Sequence, residues 1–324
     1  MLEKAIAARA ELFDARHESA VRLFNGFYEG DAGIAVDLYA KTAVIHDYAA
    51  LPEQSENTTA EITHALQAAL PWLKTIILKT RNSSSPEKRN GEIIFGTDPD
   101  LRVKENGVWY AVDLCMNRDA SLYLDTRNLR EWTMRHSSGK TVLNTFAYTG
   151  SLGVAALAGG AARVVQLDRN RLFFEIAKRS YSLNRFKVNK KDFMVGDFWT
   201  LISRLKYEEA RFDCIFVDPP FFAVTPNGVV DMENNSSRLI NKVRPLINDG
   251  GRLVSINNAV YVSGKEYLES LEKLCDGGYL KIAELIDVPS DFTGCAETRT
   301  GIPITDPAPF NHSTKIAILE VRRK

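Results

Sequence analysis

From Val142 onward, short apolar runs alternate with helical stretches. Thr141–Phe146, Arg163–Asp168, Asp192–Val195, Phe212–Val217 and Gly251–Ile256 read as buried strands. A strand covered on both faces shows a nearly continuous apolar run rather than alternation. Helical stretches begin near Ser151, Asn170, Phe198, Glu233 and Lys265. This order predicts a parallel sheet with helices on both faces. Two more apolar runs, Leu280–Val288 and Lys315–Val321, are expected to complete the sheet as an antiparallel pair.

The first part of the chain has another pattern. A helix is expected over about Leu2–Phe24, then a turn at Gly30–Gly33 leading into a strand through Leu38. A helix around Thr59–Leu70 precedes a strand at Thr75–Lys79. Leu101–Lys104 and Val108–Leu114 flank Asn106-Gly107, a strong hairpin signal. Arg81–Asn90 is a polar loop without periodicity. We therefore expect an N-terminal α+β domain of residues 1–125 and a sheet domain of residues 126–324.

Composition narrows the class. A chain of 324 residues has room for two domains, and 45% hydrophobic with 25% charged residues is ordinary for a globular protein. No apolar run approaches the roughly 18 residues of a membrane span. The amphipathic, charged start lacks the features of a signal peptide, so a cytoplasmic protein without membrane attachment is expected. Cys115, Cys214, Cys275 and Cys295 lie far apart with no Cys-x-x-Cys pair, which predicts reduced thiols and no metal site. A formal charge of +0 argues against a protein that coats nucleic acid, while leaving room for one basic face.

The first chemical signal is Val142-Leu-Asn-Thr-Phe-Ala-Tyr-Thr-Gly150-Ser-Leu-Gly153. Taken alone, this fits a tight strand-to-helix turn as well as a ligand loop. The next strand ends in Asp168, the place where an acid accepts ribose hydroxyls in doubly wound folds. A nicotinamide enzyme would need the fuller Gly-x-Gly-x-x-Gly set for its pyrophosphate. S-adenosylmethionine has a ribose and no pyrophosphate, and fits the reduced glycine pattern. After the third strand, Asp197 can take the adenine amino group and Phe198 can flank the ring, although Asp197 also fits a plain helix N-cap.

The second signal is Asp218-Pro219-Pro220-Phe221, which follows an apolar strand. A carboxylate and a proline carbonyl at the carboxyl edge of a sheet can face a planar nitrogen group, with Phe221 stacking on the base. Asn257-Asn258 follows the next strand and offers amides to a base edge. No cysteine lies in either acceptor loop. Methylation at C5 of a pyrimidine needs a thiolate adding to the ring, whereas a ring nitrogen with a lone pair needs positioning alone. Nitrogen is the expected acceptor.

The chain resembles the bacterial large-subunit ribosomal RNA methyltransferases of the RlmI and RlmK type. The resemblance rests on Gly33–Tyr39, Val103–Gly107, Tyr123-Leu-Asp-Thr-Arg127, Phe146-Ala-Tyr-Thr-Gly150 and Asp218-Pro-Pro-Phe221, in order, from about residue 10 onward. It implies a Rossmann-like class I methyltransferase sheet preceded by a smaller α+β domain that contacts RNA. It also implies a cofactor pocket shaped by Tyr123, Asp125, Arg127, Phe146, Tyr148, Thr149 and Gly150, with Asp168, Arg169, Asp197 and Phe198. Asp218, Pro219, Phe221 and Asn257 are the expected catalytic residues. The RlmI type carries a cysteine where this chain has Asn257. Ser255-Ile-Asn-Asn258 is closer to the RlmK type, which is associated with guanine N7, so guanine stands ahead of adenine.

The expected partner is RNA, with ribosomal RNA foremost. Lys79, Arg81, Lys88 and Arg89 form one basic cluster that could grip it, and Lys187, Lys190 and Lys191 form another. A methyltransferase of small metabolites or protein side chains is the alternative, and a non-catalytic binding module is disfavoured by the complete cofactor motifs. The sequence leaves the oligomeric state open, a homodimer included.

Overall fold

A computed structural model describes residues 1–49, 52–233 and 236–323, with the side chains of 52–57 excepted. The chain forms two compact units. One is Met1–Asp125 with Pro289–Pro303, and the other is Thr126–Val288 with Ile304–Lys324.

The first unit carries a five-stranded sheet of β1 (Ala20–Asn25), β2 (Ile34–Tyr39), β3 (Thr42–Asp47), β4 (Thr75–Thr80) and β5 (Glu92–Phe95), in that spatial order. Only β3 and β4 pair in parallel, and the chain between them includes a helix, as a parallel crossover requires. The helices are α1 (Leu2–Ala8), α2 (Gly26–Glu29), α3 (Pro52–Ala69) and α4 (Pro86–Asn90). The expected hairpin is β6 (Arg102–Glu105) with β7 (Val108–Ala111), and Asn106 (φ 50°) and Gly107 (φ 81°) both take the left-handed turn conformation.

The helix expected over Leu2–Phe24 is corrected. It stops at Ala8, and the chain enters β1 at Ala20. The cause is local, because the Asp14 carboxylate accepts the backbone N–H groups of Arg16 (2.9 Å), Glu18 (2.8 Å) and Ser19 (2.7 Å). A short acidic side chain thereby offers the backbone an alternative to helical bonding. The apolar pattern also gave no sign that residues 289–303 return to the first unit. There, fully buried Arg9 donates to both carboxylate oxygens of Glu29, at 2.9 Å each, and to the Asp291 carbonyl at 2.8 Å. Thr298 donates to Glu29, and Asp291 accepts the N–H of Arg22 at 2.9 Å. The Arg9 guanidinium also donates to the Ala5 carbonyl at 3.0 Å, so both of its terminal nitrogens are engaged, while Nε is buried with no partner among the described residues.

The second unit is a seven-stranded sheet. Its strands are β8 (Thr141–Thr145), β9 (Arg163–Asp168), β10 (Phe193–Val195), β11 (Phe212–Val217), β14 (Ile247–Asn257), β15 (Leu280–Ile286) and β16 (Lys315–Val321). Their order is β10-β9-β8-β11-β14-β16-β15. The first five are parallel, and β16 runs antiparallel to both neighbours, as expected for the terminal pair. Its helices are α5 (Arg127–His136), α6 (Ser151–Ala158), α7 (Arg171–Leu183), α8 (Phe198–Tyr207), α9 (Ser236–Val243) and α10 (Gly264–Cys275). Both sheet faces are buried: Cys214 and Phe216 of β11 join one apolar cluster, and Ile215 and Val217 join another. This is the parallel sheet, covered on both faces, that the sequence pattern predicted, and the Rossmann-like α/β sheet that the resemblance implied. A small hairpin, β12 (Phe222–Thr225) with β13 (Gly228–Asp231), was not anticipated.

Candidate cofactor and acceptor site

The chain builds β8, proceeds outward to β9 and β10, then returns to lay β11 on the other side of β8. Ligands in such sheets bind where the order reverses, outside the carboxyl ends of the strands. The loops leaving β8, β9, β10, β11 and β14 share that edge. They carry Phe146, Tyr148, Thr149 and Gly150; Asp168 and Arg169; Asp197 and Phe198; Asp218, Pro219 and Phe221; and Asn257. Tyr123 and Asp125 belong to the first unit, where the Tyr123 hydroxyl donates to Asp119 at 2.8 Å, and Arg127 opens α5 of the second.

The loop after β8 is held in a costly conformation. Phe146 (φ 53°) and Tyr148 (φ 50°) are left-handed without being glycine, at about 1–2 kcal/mol each. Asp168 offsets that strain: one carboxylate oxygen accepts the N–H of Tyr148 and the other that of Asn170, both at 2.8 Å. Burial pushes the Asp168 carboxyl above its ordinary value, and these backbone donors oppose the shift without cancelling it. A carboxylate has about four lone-pair sites, so Asp168 retains capacity for ribose hydroxyls.

Sequence reasoning missed Asn144 and Gln166, which fix the same loop from beneath. Asn144 donates to Gln166 Oε1 at 2.8 Å, and Gln166 Nε2 donates to the Gly150 carbonyl at 3.2 Å. A Cβ on Gly153 would lie 2.1 Å from that Nε2, which explains the second glycine of the motif as close helix-to-strand packing. The available signal was a polar residue within an otherwise apolar strand.

Asp197 is the helix N-cap that the sequence allowed, with one oxygen to spare. Its Oδ1 caps α8 by accepting the Thr200 N–H at 3.2 Å. Its Oδ2 is buried without a hydrogen-bond partner among the described residues. An orphaned buried acceptor costs free energy until a donor arrives, and an adenine amino group is a donor of the right kind. The Phe198 ring stacks on Phe146, with centroids 4.7 Å apart and planes at 22°, which joins the first and third loops in one apolar wall.

On the acceptor side, Asp218 is half-buried at the end of β11, Pro219 is buried, and Phe221 and Phe222 are 42% and 57% exposed. Asn257 is 1% exposed, and its amide is engaged within the fold. Nδ2 donates to the Met232 carbonyl at 3.3 Å, and Oδ1 accepts the Ala259 N–H at 2.9 Å. Cys214 lies within β11, 8% exposed, and burial pushes its thiol up to about 12.

The basic clusters fare differently from their sequence reading. Lys79 is fully buried and donates to the carbonyls of Asn90, Asn117 and Asp119, and Arg89 donates to those of Ser83 and Ser84. Lys187, Lys190 and Lys191 are exposed, but they precede β10 and so lie at the amino ends of the parallel strands, opposite the reaction edge. No helix among the described residues is long and apolar enough to cross a membrane, and no group of three or more metal-ligating side chains occurs among them.

Known proteins resemble this chain in sequence and in fold. The sequence model of a family described as S-adenosylmethionine-dependent methyltransferase matches residues 41–301. A Bacillus subtilis (strain 168) protein, provisionally assigned as ribosomal RNA large subunit methyltransferase YwbD, is 30% identical over 298 residues, covering 90% of this chain and 74% of that protein. Ribosomal RNA large subunit methyltransferase I of Aliivibrio fischeri (strain MJ11) is 27% identical over 256 residues, covering 78% of this chain and 64% of that enzyme. Among solved structures, SMU.776, provisionally assigned as a methyltransferase and complexed with SAH, aligns with a TM-score of 0.83 at 22% identity, covering 99% of this chain and 81% of that one.

Proposed function

The chain belongs to the S-adenosylmethionine-dependent methyltransferase family, and from that premise we propose that it methylates a base nitrogen in large-subunit ribosomal RNA, with guanine as the base. S-adenosylmethionine is its cofactor and supplies, when bound, a methyl group activated on a sulfonium. The residues of the carboxyl edge fit that group: Asp168 toward the ribose, Asp197 Oδ2 toward the adenine amino group, and the Phe146–Phe198 wall beside the ring. Tyr123, Asp125, Arg127, Tyr148, Thr149, Gly150 and Arg169 are the further cofactor-pocket residues of this reading.

Asp218 and the Pro219 carbonyl orient the acceptor nitrogen, and Phe221 stacks against its base. The nitrogen lone pair forms the new bond to carbon as the carbon–sulfur bond breaks and its electron pair returns to sulfur. Such in-line transfer asks the protein for orientation and for exclusion of water.

The observation that carries the choice of nitrogen is the state of the thiols. Carbon methylation of a pyrimidine calls for a nucleophilic thiolate at the acceptor. Cys214, the cysteine nearest Asp218 in sequence, is buried in β11 with its thiol pushed up to about 12, and neither the loop at 218–221 nor the one at 257–263 contains a cysteine. The names of the relatives support RNA of the large ribosomal subunit as substrate, and the cytoplasm as its compartment is part of the proposal.

The test is transfer of labelled methyl from S-adenosylmethionine into RNA from cells lacking this gene, followed by nucleoside mass spectrometry, with the Asp218→Ala enzyme as control. Label in a single N-methylated guanosine is expected, with loss of activity and retention of cofactor binding in the variant. Label in C5-methylcytidine would overturn the nitrogen assignment. Absence of label in naked RNA and in ribosomal subunits, with cofactor binding intact, would turn the reading toward small metabolites or protein side chains.

A further inference from the structure

The loop leaving β14 is built unlike a surface turn. Its inward groups are fixed one after another. Asn257 is spent on Met232 and Ala259, and the Ala259 carbonyl accepts from Lys315 Nζ at 2.9 Å and from the Val262 N–H at 3.3 Å. The Val260 carbonyl accepts the Thr305 hydroxyl at 2.8 Å. Lys315 is itself fully buried and also donates to the Ser313 carbonyl at 2.6 Å. Burial lowers its pKa to about 8, and the two carbonyls that accept from it hold the group in this dry place. The loop ends on Ser263, which forms a reciprocal capping box with Glu266 at the start of α10.

The outward groups of the same loop are Asn258 and Tyr261. Asn258 is exposed, and its amide has no hydrogen-bond partner among the described residues. Tyr261 is 65% exposed. β14 is the neighbour of β11, and Val217 pairs in register with Ser255, so both loops leave the sheet side by side. Asp218-Pro219 and Asn258 therefore stand on adjacent strands of the same edge. An amide offers both a donor and an acceptor to a base edge, and a phenol ring offers a stacking face to an unstacked base.

We propose that Asn258 and Tyr261, displayed by the Lys315-pinned loop, form the wall that selects the acceptor base. Asn258 reads the base edge, and Tyr261 stacks on the acceptor or its neighbour. The role that the sequence reading gave to Asn257 passes one residue onward, with Asn257 as the positioning residue that turns Asn258 out. This inference rests on the RNA reading above and adds the residues that discriminate among bases.

Two variants of the full chain test it, Asn258→Ala and Tyr261→Ala. Both positions are exposed, where substitution leaves stability nearly unchanged. Each is assayed for methyl transfer to the unmethylated RNA and, by calorimetry, for SAH binding. Asn258→Ala is expected to lower kcat/KM about tenfold or more and to broaden the set of nucleosides labelled. Tyr261→Ala is expected to raise KM about tenfold, consistent with the loss of one base stack. SAH binding should stay within about twofold in both, because neither residue lies in the cofactor loops. If wild-type enzyme methylates RNA and both variants match it in rate and in nucleoside product, the proposal is overturned while the RNA reading stands. If wild-type enzyme binds SAH and methylates no RNA, the substrate reading falls and the proposal falls with it.

Discussion

The two halves of the reaction edge are made to different standards. On the cofactor half, Asp168, Asn144 and Gln166 are bonded to the loop or to one another, while Asp197 Oδ2 is held buried and unpaired among the described residues. Two non-glycine residues sit in left-handed backbone, and Asp168, Asn144 and Gln166 hold them there. On the acceptor half, the hairpin after Asp218-Pro219 leaves Phe221, Phe222 and Val224 exposed, and the loop after β14 leaves Asn258 and Tyr261 exposed. Preorganisation suits a ligand of fixed shape that returns at every turnover. Exposed aromatics suit a large partner that supplies its own cover, since isolated apolar groups in water gain little until something stacks on them.

That contrast can be broken most forcefully at Asp168. Replacing it with Ala removes the acceptor for two loop N–H groups as well as the proposed ribose partner, and cofactor affinity should fall about 100-fold, or about 3 kcal/mol. Calorimetry with SAH measures this, and an affinity within threefold of wild type would show that the loop does not depend on that carboxylate.

Gly153→Ala comes next. Its methyl would meet Gln166 Nε2 at 2.1 Å, and Gln166 is tied to Asn144, Gly150 and Tyr181, so a loss of about 1–3 kcal/mol in stability is expected. Thermal denaturation with no change in Tm would mean that Gln166 can yield. Asp197→Asn should be smaller and cleaner. Asparagine caps a helix as well as aspartate does, so stability should stay within about 0.5 kcal/mol. Cofactor affinity should nevertheless drop about tenfold, because an NH2 group at the Oδ2 position would face a donor rather than receive it. Unchanged affinity there would return Asp197 to the role of a simple cap.

The smallest structural effect is expected at Phe222→Ala. Stability should move by less than about 0.5 kcal/mol and cofactor binding not at all, while transfer to RNA falls about tenfold. If transfer is unaffected, the exposed hairpin has no part in holding the acceptor.

How much of this was legible follows from where each residue sits. The placement of Asp168, Asp197 and Asp218 at one edge could be read because each closes or follows an apolar run, and strand ends mark the ligand edge of a parallel sheet. Gln166 could not, since a lone polar residue in a buried strand reveals its partners only once Gly153 and Asn144 are brought against it. The position of the second basic cluster could not be read, for a topological reason. Composition shows that Lys187, Lys190 and Lys191 are charged, but which end of the sheet they occupy depends on their preceding a strand rather than following one. Lys79 misled for an energetic one, because three backbone carbonyls were enough to keep an ammonium out of water. Asn257 and Asn258 look equivalent as letters. The turn between them makes one a brace and leaves the other in the open.

The return of residues 289–303 to the first unit has a bearing on heredity. A gene segment ending at codon 125 does not encode that unit, because Arg9 and Glu29 would be left without the Asp291 carbonyl and the Thr298 hydroxyl. Recombination that swaps the front of this protein for another's would cut a buried ion pair from part of its support. The two units are therefore poorly suited to being inherited as separate cassettes, and exchange of either one requires breakpoints on both sides of a fifteen-residue thread as well as at 125.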